Sequence, residues 1–219
     1  MAENIKHYFI EDDTLSPQIE TFSYYFGAEK FTFTSNSGMF SPGHVDGASD
    51  LFLHTLPRLS GSFLDLGCGY GVIGIVVGRL YPVQVTLADI NGRALDCARI
   101  NCASNHIQAE IVKSDCFDAI SRQFDVIALN PPIHAGKAVV YRMYQQAKEH
   151  LNPGGKFFVV IQKKHGAEST IERLTEIFGG CQALYRKKGY YVLEATKRSN
   201  EFDCPKLNAV NAGNTASLA

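Results

Sequence analysis

The stretch Phe63-Leu64-Asp65-Leu66-Gly67-Cys68-Gly69-Tyr70-Gly71-Val72-Ile73-Gly74 constrains this chain more than any other. A β-prone apolar run ends in an acid, passes through glycines at alternate positions and enters an apolar segment long enough for a helix. The pattern predicts a strand, a tight turn and a helix. Gly67 and Gly69 allow positive φ and a close approach of backbone to a ligand, and a helix beginning near Gly71 aims its free N–H groups at the same place. A dinucleotide fingerprint fits imperfectly, because its third glycine would stand where Val72 is. A purely structural strand-to-helix corner is the other reading that this stretch leaves open by itself.

At 219 residues the chain suits one domain with a proper core, and its 20% charged and 45% apolar residues are ordinary for a soluble globular protein. A net charge of −1 offers no global attraction to nucleic acid, although a sum does not reveal a local basic face. The six cysteines, Cys68, Cys97, Cys102, Cys116, Cys181 and Cys204, form no C-x-x-C pair. They point to a reduced intracellular protein with neither a zinc site nor a disulfide framework. The N-terminal residues Glu3, Lys6, Glu11, Asp12 and Asp13 interrupt any secretory core, and no apolar run approaches the ~18 residues that a membrane span needs. Cytoplasm is the expectation, with no membrane partner.

In chain order, residues 1–21 read as a polar arm. Phe22–Phe26 and Phe31–Thr34 flank Gly27-Ala28-Glu29-Lys30 as a hairpin, and Ser35–Gly47 reads as a loop long enough to suggest function. Ala48–Leu56 is a short helix stopped by Pro57. Strands are then expected at 63–66, 83–88, 110–112, 124–129 and 156–162, with Asn152-Pro153-Gly154-Gly155 as the turn into the last. Helices alternate with them over 71–80, 91–104, 137–151 and 168–178. Gln182–Arg186 and Tyr190–Thr196 close the pattern as a second hairpin. The fold class is therefore α/β: a mainly parallel seven-stranded sheet with helices on both faces, an antiparallel last strand and a small N-terminal hairpin. The domain is expected over 22–198, and residues 199–219, without periodicity, read as a disordered tail.

In such sheets ligands bind beyond the carboxyl ends of the strands, where strand order reverses. Asp65, Asp89, Asp115 and Asn130 stand at those ends. Asp89, 22 positions after Gly67, can accept from the hydroxyls of a ribose or cap the following helix. Asp115 can take the exocyclic amine of an adenine with Cys116 and Phe117 along the ring, or be an ordinary turn aspartate. Asn130-Pro131-Pro132-Ile133 makes a rigid corner after a buried strand. The corner offers two acceptors, the Asn130 side-chain oxygen and the Pro131 carbonyl, to a flat amino group whose lone pair must be turned toward an electrophile. A structural proline corner is the alternative.

Together these stretches resemble the class I S-adenosylmethionine-dependent methyltransferases, whose first motif has the order acid, any, Gly, any, Gly, any, Gly. A wider set, Phe31-Thr32-Phe33-Thr34, Ser37-Gly38-Met39-Phe40-Ser41, Val45-Asp46, Asn130 to Gly136, Gln162 to Ala167 and Lys187 to Tyr191, is similar to the RsmC-like group of ribosomal RNA guanine-N2 methyltransferases and their single-domain relatives. The resemblance covers about residues 22–197. It implies S-adenosylmethionine as cofactor, bound around Asp65, Gly67, Cys68, Gly69, Asp89, Ile90, Asp115, Cys116, Phe117 and Asn130. Asp65 would hold the ammonium, directly or through water, Asp89 the ribose and Asp115 the adenine. Asn130, Pro131, Pro132 and Ile133 would form the catalytic corner, without a metal, and RNA, ribosomal RNA or a ribosomal particle, would be the partner.

Two departures stand out: Ile133 occupies the place of a stacking aromatic, leaving Phe40 or Tyr141 to supply it, and Ala48 replaces a glycine. Lys137, Lys163, Lys164, Arg186, Lys187 and Lys188 fall near strand ends or on the last hairpin, where they can hold phosphates or be solvated lysines and arginine only; His134 can touch substrate. Methylation of a protein amide nitrogen such as glutamine, and a non-catalytic RNA-binding or assembly factor, are the other functions this sequence admits.

Overall fold

Two runs of alternating aromatic and β-branched residues open the described part of the chain, and they pair as an antiparallel hairpin of β1 (Ile19–Phe26) and β2 (Glu29–Asn36). The computed structural model describes residues 19–36 and 43–199. Most of the N-terminal arm, the Ser37–Ser41 stretch with Phe40, and the tail from residue 200 onward lie outside the described residues. Residues 19–21, expected in the arm, pair with Asn36, Ser35 and Thr34, so the hairpin is longer at its open end than the apolar pattern suggests. Backbone pairing needs no apolar side chain, and here it runs on through Glu20, Thr21 and Ser35.

The central sheet holds β3 (Gly61–Leu66), β4 (Val83–Asp89), β5 (Ala109–Lys113), β6 (Phe124–Leu129), β7 (Leu151–Gln162), β8 (Gln182–Lys187) and β9 (Tyr190–Thr196) in the order β5-β4-β3-β6-β7-β9-β8. Only β9 runs against the rest, slotted between β7 and the edge strand β8. Among the described residues five α-helices accompany the sheet: α1 (Gly47–Thr55), α2 (Val72–Leu80), α3 (Gly92–Ser104), α4 (Lys137–Glu149) and α5 (Ala167–Phe178). One apolar core joins α1, α2, α3 and the hairpin to one face of the sheet. A second joins α4 and α5 to the other. This is the Rossmann-like arrangement expected from the alternating pattern.

One boundary differs in kind. Helix α4 ends at Glu149, and Asn152-Pro153-Gly154-Gly155 is not a turn between elements but part of β7. The pairing of β6 with β7 jumps there from Phe124↔Leu151 to Val126↔Lys156, an irregularity that takes up Pro153, which has no N–H for the ladder. Asp125 of β6 holds the spot, accepting from Asn152 Nδ2 at 2.7 Å and from the Ser62 N–H at 2.8 Å. Those donors keep its carboxyl below the usual range.

Two asparagines a helical turn apart fasten the hairpin to α3. The Asn101 side chain, fully buried, accepts from the Thr34 N–H at 2.6 Å and donates to the carbonyls of Thr34 and Tyr70 at 2.9 Å each. Asn105 repeats the exchange with Thr32, accepting at 2.9 Å and donating at 2.8 Å. Each amide thus pairs with β2 as another strand would, and Asn101 also reaches the turn that follows β3. Replacing Asn101 by Ala strands three backbone groups at once. At about 1 kcal/mol or more per orphaned group, the expected loss is ~3 kcal/mol and roughly 10 °C in Tm, read by urea and thermal unfolding. A loss within about 0.5 kcal/mol would mean that the hairpin is not anchored here.

Candidate functional site

Strands β3 and β6 lie side by side, yet the chain leaves β3 into α2 on one face and β6 into α4 on the other. The crevice between the two departures is a cavity of about 440 Å³, within the range of small-molecule sites. Its walls come from the turn after β3 (Gly67, Cys68, Gly69), the end of β4 (Asp89, Ile90) and the turn after β5 (Asp115, Cys116). The corner after β6 (Asn130 to Ala135), the start of α1 (Asp46, Ala48, Ser49), one face of α4 and Gln162 with His165 after β7 complete it.

The turn after β3 is shaped by what packs behind it. A Cβ at Gly74 would lie 2.2 Å from Leu87 Cδ2, so glycine is what lets α2 settle on the sheet. Gly67 and Gly69 have φ of +67° and +55°, and a Cβ on Gly69 would meet nothing within 4 Å, which leaves a bare backbone cradle open to a ligand. Asp65 does not reach that cradle. It is 1% exposed, its Oδ2 accepts from the Gly74 N–H at 2.8 Å, and its Oδ1 is buried with no partner among the described residues. Burial pushes its carboxyl up to about 7, against the pull of the Gly74 N–H and with a further push from the Asp89 charge. Asp65 is not among the residues that line the cavity; it pins the turn and α2 from behind.

Asp89 does line the cavity. Its Oδ2 accepts from the Gly69 N–H at 2.8 Å and its Oδ1 from the Asn91 N–H at 2.9 Å. Capping of α3 falls to Asn91, whose Oδ1 accepts from Arg93 and Ala94. Asp89 is therefore not a helix cap but a carboxylate clamped to the glycine turn, with the remaining lone pairs of both oxygens available to hydroxyl donors. Burial raises its pKa, against three backbone donors.

Beyond β6, buried Pro131 follows Asn130, and Ile133–Ala135 form a single 3-10 turn before α4. Asn130 Nδ2 donates to Ser49 Oγ at 3.1 Å, which turns Oδ1 the other way as an acceptor. Ser49 is 6% exposed and sits in the first turn of α1, whose N-cap Asp46 accepts from the N–H groups of Ala48 and Ser49 at 2.9 and 3.1 Å. A capped helix from before the sheet thus orients the amide at the end of β6.

Asp115 has one oxygen on the guanidinium of Arg142, which also lies 3.2 Å from Cys116 Sγ. Phe117 is corrected: its ring is 3% exposed and stacks on His150 at 4.4 Å in the core, away from the wall. Tyr141 likewise lies off the cavity, against Tyr144 and under Arg173. Ile133 and His134 are on the wall. Ser49 and Arg142 were not legible as site residues. Arg142 shares the helical spacing i, i+3, i+4 with Val139 and Met143, a signal visible once that face is known to front the crevice. For Ser49 no local pattern distinguishes it.

The residues present fit a nucleoside with a charged tail: a bare glycine backbone, a carboxylate clamped beside it for hydroxyls, and two further acids, Asp46 and Asp115, on the wall. A family model described as a methyltransferase small domain matches residues 30–194. The chain is 38% identical over 198 residues to the Bacillus subtilis protein YbxB, covering 88% of this chain and 98% of that one. It is 43% identical over 129 residues to ribosomal RNA small subunit methyltransferase C of Pasteurella multocida, covering 56% of this chain and 39% of the relative. A solved structure, the T. thermophilus 16S rRNA N2 G1207 methyltransferase in complex with AdoMet and guanosine, superposes with a TM-score of 0.75 at 31% identity, covering 84% of this chain and 52% of that chain. The chain thus spans nearly all of YbxB and about two fifths to half of the other two.

The buried Asp65 has a signature in stability. Its folded carboxyl titrates at about 7 against an ordinary 3.8, so the fold holds a proton that the unfolded chain releases earlier. Its contribution is fully present below about pH 4 and is lost as pH rises toward 7, by at most ~1.4 kcal/mol per pH unit. Asp65→Asn keeps an acceptor for Gly74 without titrating. Urea unfolding from pH 4.5 to 8 should show wild type losing stability relative to this variant as pH rises; parallel curves would refute the burial argument.

Proposed function

The chain belongs to the methyltransferase small domain family and is an S-adenosylmethionine-dependent methyltransferase of Rossmann-like fold; from that premise we propose that it methylates RNA, at the exocyclic N2 amine of a guanine in ribosomal RNA. The observation that carries this reading is the Asn130 amide, held by Ser49 on the wall of the cavity that also contains the glycine turn. The names of the small-subunit rRNA relatives support RNA as the acceptor class.

S-adenosylmethionine, when bound, supplies a methyl carbon on a sulfonium, so that an N–CH3 bond can form as the S–CH3 bond breaks and a neutral thioether leaves. Gly67 and Gly69 give backbone room beside it, and Asp89 accepts from ribose hydroxyls. Asp46, a residue of the cavity wall that raises the pKa of Tyr70 together with the larger effect of burial, is a further counter-charge for the ammonium beside Asp65. The Asp115–Arg142 pair and Cys116 close the adenine end.

A guanine amine is a poor nucleophile because its lone pair is conjugated with the ring. Asn130 Oδ1 and the Pro131 carbonyl accept its two N–H groups, favour the tetrahedral nitrogen and bind more tightly as positive charge develops there. Proline rigidity and the Ser49 bond mean that neither acceptor has to reorganise during the step. After transfer the surplus proton is acidic enough to pass to water.

Asn130→Ala should lower kcat by ~10²-fold or more while AdoMet affinity by calorimetry stays within a few-fold. Ser49→Ala should lower kcat by ~10-fold with KM little changed, since it frees the amide without removing it. Asp89→Ala should act the other way, on AdoMet affinity first. Radiolabelled AdoMet with separate RNA and protein fractions, followed by mass analysis of nucleosides, tests the acceptor: label in N2-methylguanosine is expected. Label in protein alone would overturn the reading, as would full turnover by the Asn130 variant.

A further inference from the structure

We infer that the turn after β7 and the β8–β9 hairpin form one phosphate-binding ridge that holds the RNA strand beside the target base, through Lys163, Lys164, Lys187 and Lys188; this rests on the reading above. Sequence separates the two pairs by more than twenty residues, yet the fold joins them. Because β9 runs against β7, Tyr190 pairs with Gln162, and the tip of the β8–β9 hairpin stands at the carboxyl end of the sheet, where the cavity opens. The Lys163 N–H donates to the Gly189 carbonyl at 2.8 Å, welding the turn to the tip. Gln162, on the cavity wall, donates from Nε2 to the Tyr190 hydroxyl at 2.9 Å, so the ridge begins where the cavity ends.

All four lysines are exposed, and none makes an ion pair among the described residues. Several arginines elsewhere are paired, Arg79 with Glu29, Arg122 with Glu110, Arg142 with Asp115 and Arg173 with Glu176, whereas Lys30, Arg58 and Lys137, like these four lysines, make no ion pair among the described residues. In a chain of net charge −1, four lysines brought together at one edge of the sheet make a local concentration of positive charge. Positive charge also crowds the mouth itself. His165, on the cavity wall with His134, has its pKa lowered first by burial and then by the charges of Lys164 and His134. Four cations spread along two segments suit a row of phosphodiesters better than a single ion. The polyanion that such a row matches is a nucleic acid strand; an acidic polypeptide is the competing outcome.

The experiment measures binding of a fluorescein-labelled single-stranded RNA by anisotropy across a salt series. The proteins are wild type, Lys163→Gln/Lys164→Gln, Lys187→Gln/Lys188→Gln, the fourfold variant, and a Lys30→Gln/Arg58→Gln control at the amino end of the sheet. Each released contact on a single strand is worth ~0.7 in the slope of log K against log salt. The fourfold variant should therefore flatten that slope by about 3, weaken binding by ~10²-fold at moderate salt and raise KM for RNA. AdoMet affinity and kcat at saturating RNA should stay near wild type, and the control should leave the slope alone. An unchanged slope in the fourfold variant, with wild type still methylating RNA, overturns the ridge and spares the functional reading. Wild type that labels only an acidic polypeptide, with that labelling lost in the fourfold variant, overturns both.

Discussion

Everything in the site follows from one topological constraint: two adjacent parallel strands, β3 and β6, in register from Phe63↔Val126 to Leu66↔Leu129, must send their chains to opposite faces of the sheet. Helices α2 and α4 cannot both cover the gap above the strand ends, so a crevice remains between the glycine turn of one departure and the asparagine–proline corner of the other. The glycine turn and the asparagine–proline corner are the two lips of that crevice. Their separation is set by strand spacing, about 4.8 Å between neighbours, and not by any long-range adjustment of side chains.

Around the crevice the protein uses buried polar groups to hold backbone, and leaves partly exposed ones to face a ligand. Asp65 and Asn101 are almost wholly enclosed, and both bind main-chain groups that shape or support the turn after β3. Asp89 serves on both sides, clamping Gly69 while facing the cavity. A carboxylate already fastened by backbone donors loses little further freedom on meeting a ribose, which is preorganisation in its simplest form. Ser49 does the same for Asn130 from a different element.

The motif residues were legible because the chemistry that selects them is local. A tight strand-to-helix turn needs glycine at particular offsets, a corner that ends a buried strand needs proline, and a cap such as Asn91 must immediately precede its helix. Element order and the closing antiparallel strand were legible for the same reason, since periodicity and turn residues are written into contiguous segments. Phe117 was misread because position in a motif does not say which way a side chain faces. An apolar-flanked residue after a turn can point into the crevice or into the core behind it, and Phe117 packs into the core on His150.

By itself, then, the sequence determined the alternation of strands and helices, the glycine cradle, the rigid corner and, through them, the class of ligand that the crevice can hold. Only the tertiary structure decided that Ser49, 81 residues from Asn130 in the chain, orients its amide. It also decided that Arg142 takes one oxygen of Asp115, and that lysines from two distant turns share one ridge. The physical reason is range. Turn geometry and capping act over a few residues, whereas the partner of a side chain across a sheet is set by strand order and packing, which no local pattern encodes.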